Sequence, residues 1–209
     1  AEADPDAAYR GNALGPRNLA LVTAAHDIPL LHVSTDYVFD GRSRRPYHEF
    51  DHPNPQSVYG ASKLAGEDAV RTLNAKHYIV RTAWVYHNVG KNFIKTMCEL
   101  SHRSQVQVVN DQFGSPTYAP HLAAALAQLI ETETFGMYHF AGHGGTSRLE
   151  LTQTLYGLLG AGVVVESITT DQMPRPAQRP LYAILTTLQV PHIELPPWQD
   201  GVAQFVRSL

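Results

Sequence analysis

A tyrosine and a lysine four residues apart are the side chains of this sequence whose chemistry is easiest to anticipate. Tyr59 and Lys63 lie in S-V-Y-G-A-S-K-L-A-G-E, and in an α-helix this spacing puts both on one face. A free phenol has a pKa near ~10, so it exchanges protons poorly at neutral pH unless its anion is stabilised. Lys63 and the N-terminus of a helix beginning near Ser57, after the prolines at 53 and 55, would both stabilise that anion. We therefore expect a lowered Tyr59 pKa, although the short pattern also fits an ordinary amphipathic helix.

Short apolar segments alternate with amphipathic ones along the chain, which is typical of an α/β fold with a mainly parallel sheet. Residues 28–33 and 77–86 predict strands that are buried on both faces. Residues 6–25 predict one kinked helix or two short ones, because Gly15-Pro16 falls in the middle. Further strands are expected at 106–109, 137–141 and 163–168, and further helices at 92–101, 121–130, 149–159 and 199–209.

Three small polar residues, Ser34-Thr35-Asp36, follow the first predicted strand. Ligands of open parallel sheets gather at the carboxyl ends of the strands, so these side chains are well placed for chemistry. Taken alone, the three residues equally fit a polar turn or a helix N-cap.

Two other motifs suggest chemistry that their surroundings do not support. Residues 48–52 read H-E-F-D-H, which matches the zinc-protease pattern, but Pro46, Pro53 and Pro55 leave no room for the helix that this pattern needs. Residues 142–145 form a glycine cluster that lacks the complete dinucleotide or P-loop motif. We expect that cluster to be a turn into a helix capped by Thr146 or Ser147.

Composition narrows the class of protein. The 209 residues carry 16 Lys and Arg against 19 Asp and Glu, a net charge of −3, with no basic run, so nucleic acid is not an expected partner. No apolar run approaches the ~18–20 residues that span a bilayer, and no secretory signal pattern appears. The single cysteine, Cys98, is expected to be a core residue rather than a nucleophile. We expect a cytoplasmic protein that does not associate with membranes.

Several short motifs occur in order along the chain. They are S-T-D-Y-V-F-D-G at 34–41, Glu49-x-Asp51, Y-G-A-S-K-L-A-G-E at 59–67, R-T-A-W-V-Y at 81–86, Asn92-Phe93, D-Q-F-G-S-P-T at 111–117 and Arg179-Pro180. Taken together, these motifs resemble the extended short-chain dehydrogenase/reductase superfamily, and within it the dTDP-4-dehydrorhamnose reductases. The resemblance implies a doubly wound, Rossmann-like parallel sheet whose N-terminal portion is missing, with a smaller C-terminal substrate-binding region. Residues 1–120 would be the second half of the NAD(P)-binding domain, and residues 121–209 a mixed, largely substrate-binding region.

The resemblance implies catalytic roles for Thr35, Tyr59 and Lys63. Tyr59 would protonate the carbonyl oxygen of a 4-keto sugar, with Thr35 hydrogen-bonded to the same oxygen. Tyr59, Lys63 and Ser34 would contact the cofactor, NADPH or NADH, which supplies the hydride.

The resemblance also implies substrate-binding roles for Thr35, Asp36 and Trp84. An aromatic plane at Trp84 would suit the apolar face of a 6-deoxy sugar, although Trp84 also fits a core position. Asn12 resembles an asparagine that assists proton relay in the superfamily. The expected substrate is a dTDP-sugar.

Two departures from the family pattern affect what the chain is expected to do. Small polar residues usually follow the Arg-Pro pair, but here the apolar Leu181 does. No strand, glycine-rich turn and helix of the kind that holds a pyrophosphate is present in the 209 residues, so we expect this chain to be inactive alone and to expose an apolar sheet edge near residues 30–33.

Some alternatives stay open at this point. One is a non-catalytic relative resembling the regulatory subunit of methionine adenosyltransferase, and another is a different nucleotide-sugar reductase or epimerase. The choice between NADPH and NADH, a role for Mg²⁺ and a homodimer are not readable from these residues.

Overall fold

Strands and helices alternate along the chain, and the computed structural model describes all 209 residues. A π-helical turn, Arg10–Leu14, connects the first two α-helices. The α-helices are α1 (Pro5–Tyr9), α2 (Gly15–Ala25), α3 (Val58–Leu73), α4 (Phe93–Glu99), α5 (Ala119–Ile130), α6 (Arg148–Leu159) and α7 (Trp198–Arg207). The strands are β1 (Leu30–Thr35), β2 (His77–Thr82), β3 (Val85–Tyr86), β4 (Gln105–Val109), β5 (Phe113–Gly114), β6 (Thr117–Tyr118), β7 (Gly136–His139), β8 (Thr146–Ser147), β9 (Val164–Ile168) and β10 (Tyr182–Ala183).

A parallel sheet in the order β1-β2-β7 positions the candidate site. Thr35 pairs with Thr82, and Arg81 pairs with His139. Because the strands are parallel, their carboxyl ends meet at one edge of the sheet, and the polar residues that end β1 lie beside those that end β2.

Helices cover both faces of this sheet. Ala20 of α2 and Val70 of α3 pack with Ile79 on one face, and α5 packs on Tyr78 and Val80 on the other. A parallel sheet covered on both faces is the expected α/β layered arrangement, so the predicted fold class is confirmed. No helix is both long and apolar enough to cross a membrane.

A second core lies beyond the carboxyl end of the sheet. It is built from α4, α6 and α7, with Tyr86, Trp198 and Phe205 at its centre, and the two-stranded sheet β4-β9 borders it. The chain passes between the two cores more than once, since α5 and β7 return to the first one. The division at residue 120 stays a prediction.

Two predicted strands differ from the observed ones. The first predicted strand begins two residues later, and Val33 is 39% exposed because β1 is the edge of its sheet, so it is not buried on both faces. The predicted strand at 77–86 is two strands in different sheets, because Trp84 adopts a φ of 46° between them. The helical segment before β1 continues through Pro16 by way of the π-turn, which fits the first of the two predicted alternatives, a single irregular helix.

Candidate active site

The N-terminus of α3 is fixed from two sides. Ser57 caps the helix by accepting a hydrogen bond from the Gly60 N–H at 3.1 Å, as an N-cap serine does. Glu2 accepts from the Val58 and Tyr59 N–H groups at 3.0 and 3.4 Å. A carboxylate at this helix end complements the helix dipole. The prediction that the helix begins near Ser57 is confirmed, and Tyr59 lies in its first turn.

All six residues predicted to form the site border one cavity of about 810 Å³ at the carboxyl end of β1. A cavity of this size suits a small organic ligand. The six residues are Ser34, Thr35, Asp36, Tyr59, Lys63 and Trp84.

Thr35 and Asp36 form a local network at the end of β1. The Thr35 hydroxyl donates to Asp36 Oδ1 at 3.0 Å and accepts from the Tyr37 N–H at 3.2 Å. The Thr35 side chain lies close enough to the Tyr59 phenol to lower the Tyr59 pKa. Both residues border the same cavity, so a ligand there has access to both hydroxyls.

The predicted lowering of the Tyr59 pKa is wrong for this structure. Withdrawal of the phenol from water raises the Tyr59 pKa, the nearby Thr35 side chain opposes that rise, and the nearby Asp36 adds to it. Lys63 Nζ instead donates to the Val33 carbonyl oxygen at 2.7 Å, and burial lowers the Lys63 pKa. The ammonium group is held by the backbone of β1, so its charge does not reach the phenol as the sequence argument assumed.

The hydroxyl of Ser34 is hydrogen-bonded within the protein. It donates to Glu67 Oε1 at 2.5 Å, and Glu67 accepts two further hydrogen bonds from Arg81, at 2.9 and 2.6 Å. Glu67 is fully buried and Arg81 is 1% exposed. The Ser34 hydroxyl is therefore part of an internal network, while Ser34 also borders the cavity. Its contact with the cofactor stays a prediction.

Asp36 is a buried carboxyl group with one unpartnered oxygen. Its Oδ2 atom has no hydrogen-bond partner, and desolvation raises its pKa to about 7 against the bonds it accepts from Thr35 and the backbone. A carboxyl group with this pKa exchanges a proton near neutral pH. A free oxygen beside the cavity can accept a hydrogen bond from a ligand hydroxyl.

Trp84 lies against an arginine that sequence reasoning missed. The Arg148 guanidinium carbon lies 3.4 Å from the centroid of the Trp84 ring and 4.6 Å from that of Phe93. A Cβ atom on Gly114 would come within 2.4 Å of the same indole, so glycine is required there. Arg148 opens α6, directly after the predicted helix cap, and belongs to no short motif that could have indicated its role.

The structure also places three other motif residues. Asn12 Nδ2 donates to Ser62 Oγ at 3.0 Å and so joins the helical segment before β1 to α3, while its role in proton relay stays a prediction. Ser147 caps α6 by accepting from the Glu150 N–H at 3.0 Å, as expected. Glu49 of the H-E-F-D-H segment accepts from the His139 N–H at 2.9 Å. No group of three or more His, Cys, Asp or Glu side chains anywhere in the 209 residues has the geometry to hold a metal ion.

Comparison with known proteins gives the family. The RmlD substrate binding domain family matches residues 1–209. A dTDP-4-dehydrorhamnose reductase from Clostridium acetobutylicum is 39% identical, with a TM-score of 0.95 over 99% of this chain and 75% of that one. The chain belongs to the dTDP-4-dehydrorhamnose reductase family. The alternative of a regulatory subunit finds no support among these relatives.

Two further members of the reductase family are similar over nearly the whole chain. The dTDP-4-dehydrorhamnose reductase of Mycolicibacterium smegmatis is 40% identical over 96% of this chain and 63% of its own length. A structure of the Bacillus anthracis reductase in complex with NADP is 37% identical, with a TM-score of 0.91 over 95% of this chain and 72% of that one. The chain thus spans between three fifths and three quarters of the length of these relatives.

Proposed function

We propose that the protein carrying this chain reduces dTDP-4-dehydro-6-deoxy-L-mannose to dTDP-L-rhamnose with NADPH or NADH. The proposal rests on one observation. Thr35, Tyr59 and Lys63 border the same cavity in a member of the dTDP-4-dehydrorhamnose reductase family. The product would serve the synthesis of cell-surface polysaccharides.

The residues at the carboxyl end of the sheet fit the nicotinamide end of the cofactor. Lys63 and Tyr59 border the cavity together with Thr82, and the Thr82 hydroxyl oxygen is buried without a hydrogen-bond partner. These three side chains would hold the nicotinamide and its ribose, and the cofactor when bound supplies the hydride for C4 of the sugar. The 209 residues contain no glycine-rich turn that would hold the pyrophosphate.

Residues of this chain would donate the proton and bind the sugar. Tyr59 donates its phenolic proton to the carbonyl oxygen at C4. The Thr35 hydroxyl, which donates to Asp36 Oδ1 without a ligand, turns to donate a hydrogen bond to the same carbonyl oxygen. The raised pKa of Tyr59 keeps the phenol protonated and ready to act as an acid. Asp36 accepts a hydrogen bond from a sugar hydroxyl, and the indole of Trp84 lies against the apolar face of the deoxysugar.

We also propose the cell compartment and the partners of the protein. A net charge of −3 and a free, half-buried Cys98 support a cytoplasmic enzyme that does not bind nucleic acid. The open edge of the sheet at β1 supports either a homodimer or coverage by further parts of the same protein.

Product analysis tests this function. The complete protein is incubated with dTDP-4-dehydro-6-deoxy-L-mannose and NADPH, and the sugar is examined by proton NMR. We expect dTDP-L-rhamnose to form as NADPH is consumed. A different epimer, or no consumption of NADPH by correctly folded protein, would overturn the proposal.

A further inference from the structure

Glu2 places a carboxylate at the N-terminus of α3, the helix that carries Tyr59. Its Oε1 atom accepts from the Val58 N–H at 3.0 Å and from the Tyr59 N–H at 3.4 Å. These partners lie 56 and 57 residues away in the sequence. Glu2 also borders the cavity of about 810 Å³. One carboxylate therefore contacts the backbone of Tyr59 at the edge of the candidate active site.

The position of Glu2 is fixed by the residues around it. The Asp4 N–H donates to the Ala1 carbonyl oxygen at 3.1 Å, which closes a turn that contains Glu2. Asp4 then caps α1 by accepting from the Ala7 N–H at 2.9 Å, and α1 packs against α3. A short, hydrogen-bonded segment thus brings the carboxylate to α3.

The first turn of α3 is also held on its other side. A Cβ atom on Gly60 would come within 2.1 Å of the Tyr37 carbonyl oxygen, so the helix packs directly against the backbone that follows β1. Ser57 accepts from the Gly60 N–H, and the two N–H groups before it are those bonded to Glu2. Glu2 and Ser57 together therefore satisfy the first three N–H groups of the helix, which have no partner within it.

The carboxylate acts on the proton of Tyr59 as well as on its backbone. Side chains on an α-helix tilt towards its N-terminus, so a charge at that end of α3 changes the pKa of the phenol. Free N–H groups there would stabilise the phenolate, whereas Glu2 occupies two of them and adds a negative charge that favours the neutral phenol. This agrees with the raised pKa of Tyr59, whose largest cause is burial. It also explains why the helix end does not lower that pKa as the sequence predicted.

Other charged or titratable groups lie near the phenol of Tyr59. Asp36 also disfavours the phenolate, the Tyr37 ring lies 5.4 Å from that of Tyr59, and Lys63 donates to a backbone carbonyl. The same cavity is bordered by Arg148, Arg175, Arg179 and Ala1, which carries the amino terminus of this chain. None of these groups changes when Glu2 alone is replaced, so the difference between wild type and a Glu2 variant measures the effect of Glu2.

We propose that Glu2 is a positioning residue for the proton transfer. It holds the first turn of α3 in place and keeps Tyr59 protonated for donation to the carbonyl oxygen of the substrate. Glu2 acts through Tyr59 and contacts no reacting atom. The inference rests on the proposed function for the reaction that Tyr59 serves, whereas the effect of Glu2 on the phenol needs no substrate.

Titration of the phenol tests the electrostatic effect. The wild-type chain, Glu2→Gln and Glu2→Ala are isotope-labelled at the tyrosine Cζ atom, and the Tyr59 signal is followed by NMR as the pH is raised. Its assignment comes from its loss in Tyr59→Phe. Glutamine keeps an oxygen that accepts the N–H bonds but not the charge, so the Tyr59 pKa should fall by about half a pH unit. Alanine also frees the N–H groups and should lower that pKa further.

Reduction of the keto-sugar by the complete protein tests the positioning. Because protonated Tyr59 is the acid, the rate falls as the pH rises through the Tyr59 pKa. In Glu2→Gln this fall should occur about half a pH unit lower. Glu2→Ala should in addition lower kcat at neutral pH by about 10-fold, with a smaller change in KM, because the first turn of α3 loses a contact that positions the phenol. A merely structural role for Glu2 would not move the pH profile.

Asp4→Asn is the matched control. Asp4 is exposed and does not border the cavity, and asparagine keeps the cap on α1, so the titration and the rate should both stay unchanged. An unchanged Tyr59 pKa in Glu2→Gln, or an equal shift in Asp4→Asn, would overturn the proposal. If Glu2→Gln does not fold, Glu2→Ala takes its place with the same direction of change. A lowered Tyr59 pKa in a complete protein that fails to reduce the keto-sugar would support the effect of Glu2 and contradict only the reaction.

Discussion

Glu67 of α3 forms a bidentate ion pair with Arg81 of β2, with Glu67 Oε2 lying 2.6 Å from Arg81 Nη2 and Glu67 Oε1 lying 2.9 Å from Arg81 Nε. Glu67 is one helical turn after Lys63, and its Oε1 atom also accepts the hydrogen bond of Ser34. The pair therefore connects the helix that carries Tyr59 and Lys63 to the ends of two strands. Its geometry fixes the rotation of α3 relative to Thr35.

Glu67→Gln should destabilise the protein by about 3–5 kcal/mol, because it leaves the Arg81 charge buried without a counter-charge. Asp68→Asn is the control on the adjacent residue, where an exposed ion pair to Arg71 at 2.6 Å contributes ~0–1 kcal/mol. Urea unfolding of the two variants measures the difference in free energy. Similar losses in both would show that the buried pair does not hold α3 in place.

Trp84→Ala should raise the KM for the keto-sugar more than it weakens NADPH binding, because the indole borders the cavity at Asp36 and supports Arg148. Trp84→Phe keeps part of the aromatic surface and should lie between Ala and wild type. Steady-state kinetics and calorimetry with the complete protein give the two quantities. A folded Ala variant with an unchanged sugar KM would remove Trp84 from the substrate site, whereas equal effects on sugar and cofactor would argue for a general structural role.

Asp36→Asn should change how stability depends on pH. The Asp36 pKa is about 7 in the folded protein against an ordinary value of 3.8, so the folded state binds this proton more tightly than the unfolded state does. The stabilisation from that proton is complete below pH 3.8 and is lost as the pH rises to about 7. Asparagine stays neutral, so the variant should gain stability relative to wild type across this range.

The melting temperatures of wild type and Asp36→Asn over this pH range measure the effect. Asp40→Asn is a control for which the expected change of stability with pH has the opposite sign. Hydrogen bonds lower the pKa of Asp40, and the bond from the Arg42 N–H has the largest effect. Stabilisation by Asp40 is present above its ordinary pKa and is lost in acid. A constant difference between Asp36→Asn and wild type would contradict the raised pKa.

Much of the fold was predictable because its signals are local. The segment Pro53-Asn54-Pro55 forces α3 to begin near Ser57, and apolar runs locate β2 and β7. The errors arose where tertiary structure overrides local pattern. Nothing in the run 77–86 indicates that Trp84 adopts a positive φ and divides it into two strands, and an apolar run does not reveal that β1 lies at a sheet edge.

The six candidate residues border one cavity, as the sequence led us to expect, but the electrostatics of that cavity were not predictable. Sequence spacing places Lys63 one turn after Tyr59, but only the structure shows that the ammonium group donates to the Val33 carbonyl. Arg148 was missed because its importance comes from the approach of Trp84 and Phe93, which lie more than fifty residues away. A short sequence motif does not indicate contacts between residues that lie so far apart in the sequence.

Tyr59→Phe in the complete protein tests the central claim most directly. Proton donation contributes roughly 10²–10⁴-fold to a rate, so the rate of NADPH oxidation with dTDP-4-dehydro-6-deoxy-L-mannose should fall by about that factor. NADPH binding measured by calorimetry should remain nearly unchanged. Tyr37→Phe removes a phenolic hydroxyl from a ring 5.4 Å away and should have a much smaller effect. A Tyr59→Phe protein that reduces the keto-sugar at a near-normal rate would contradict the account.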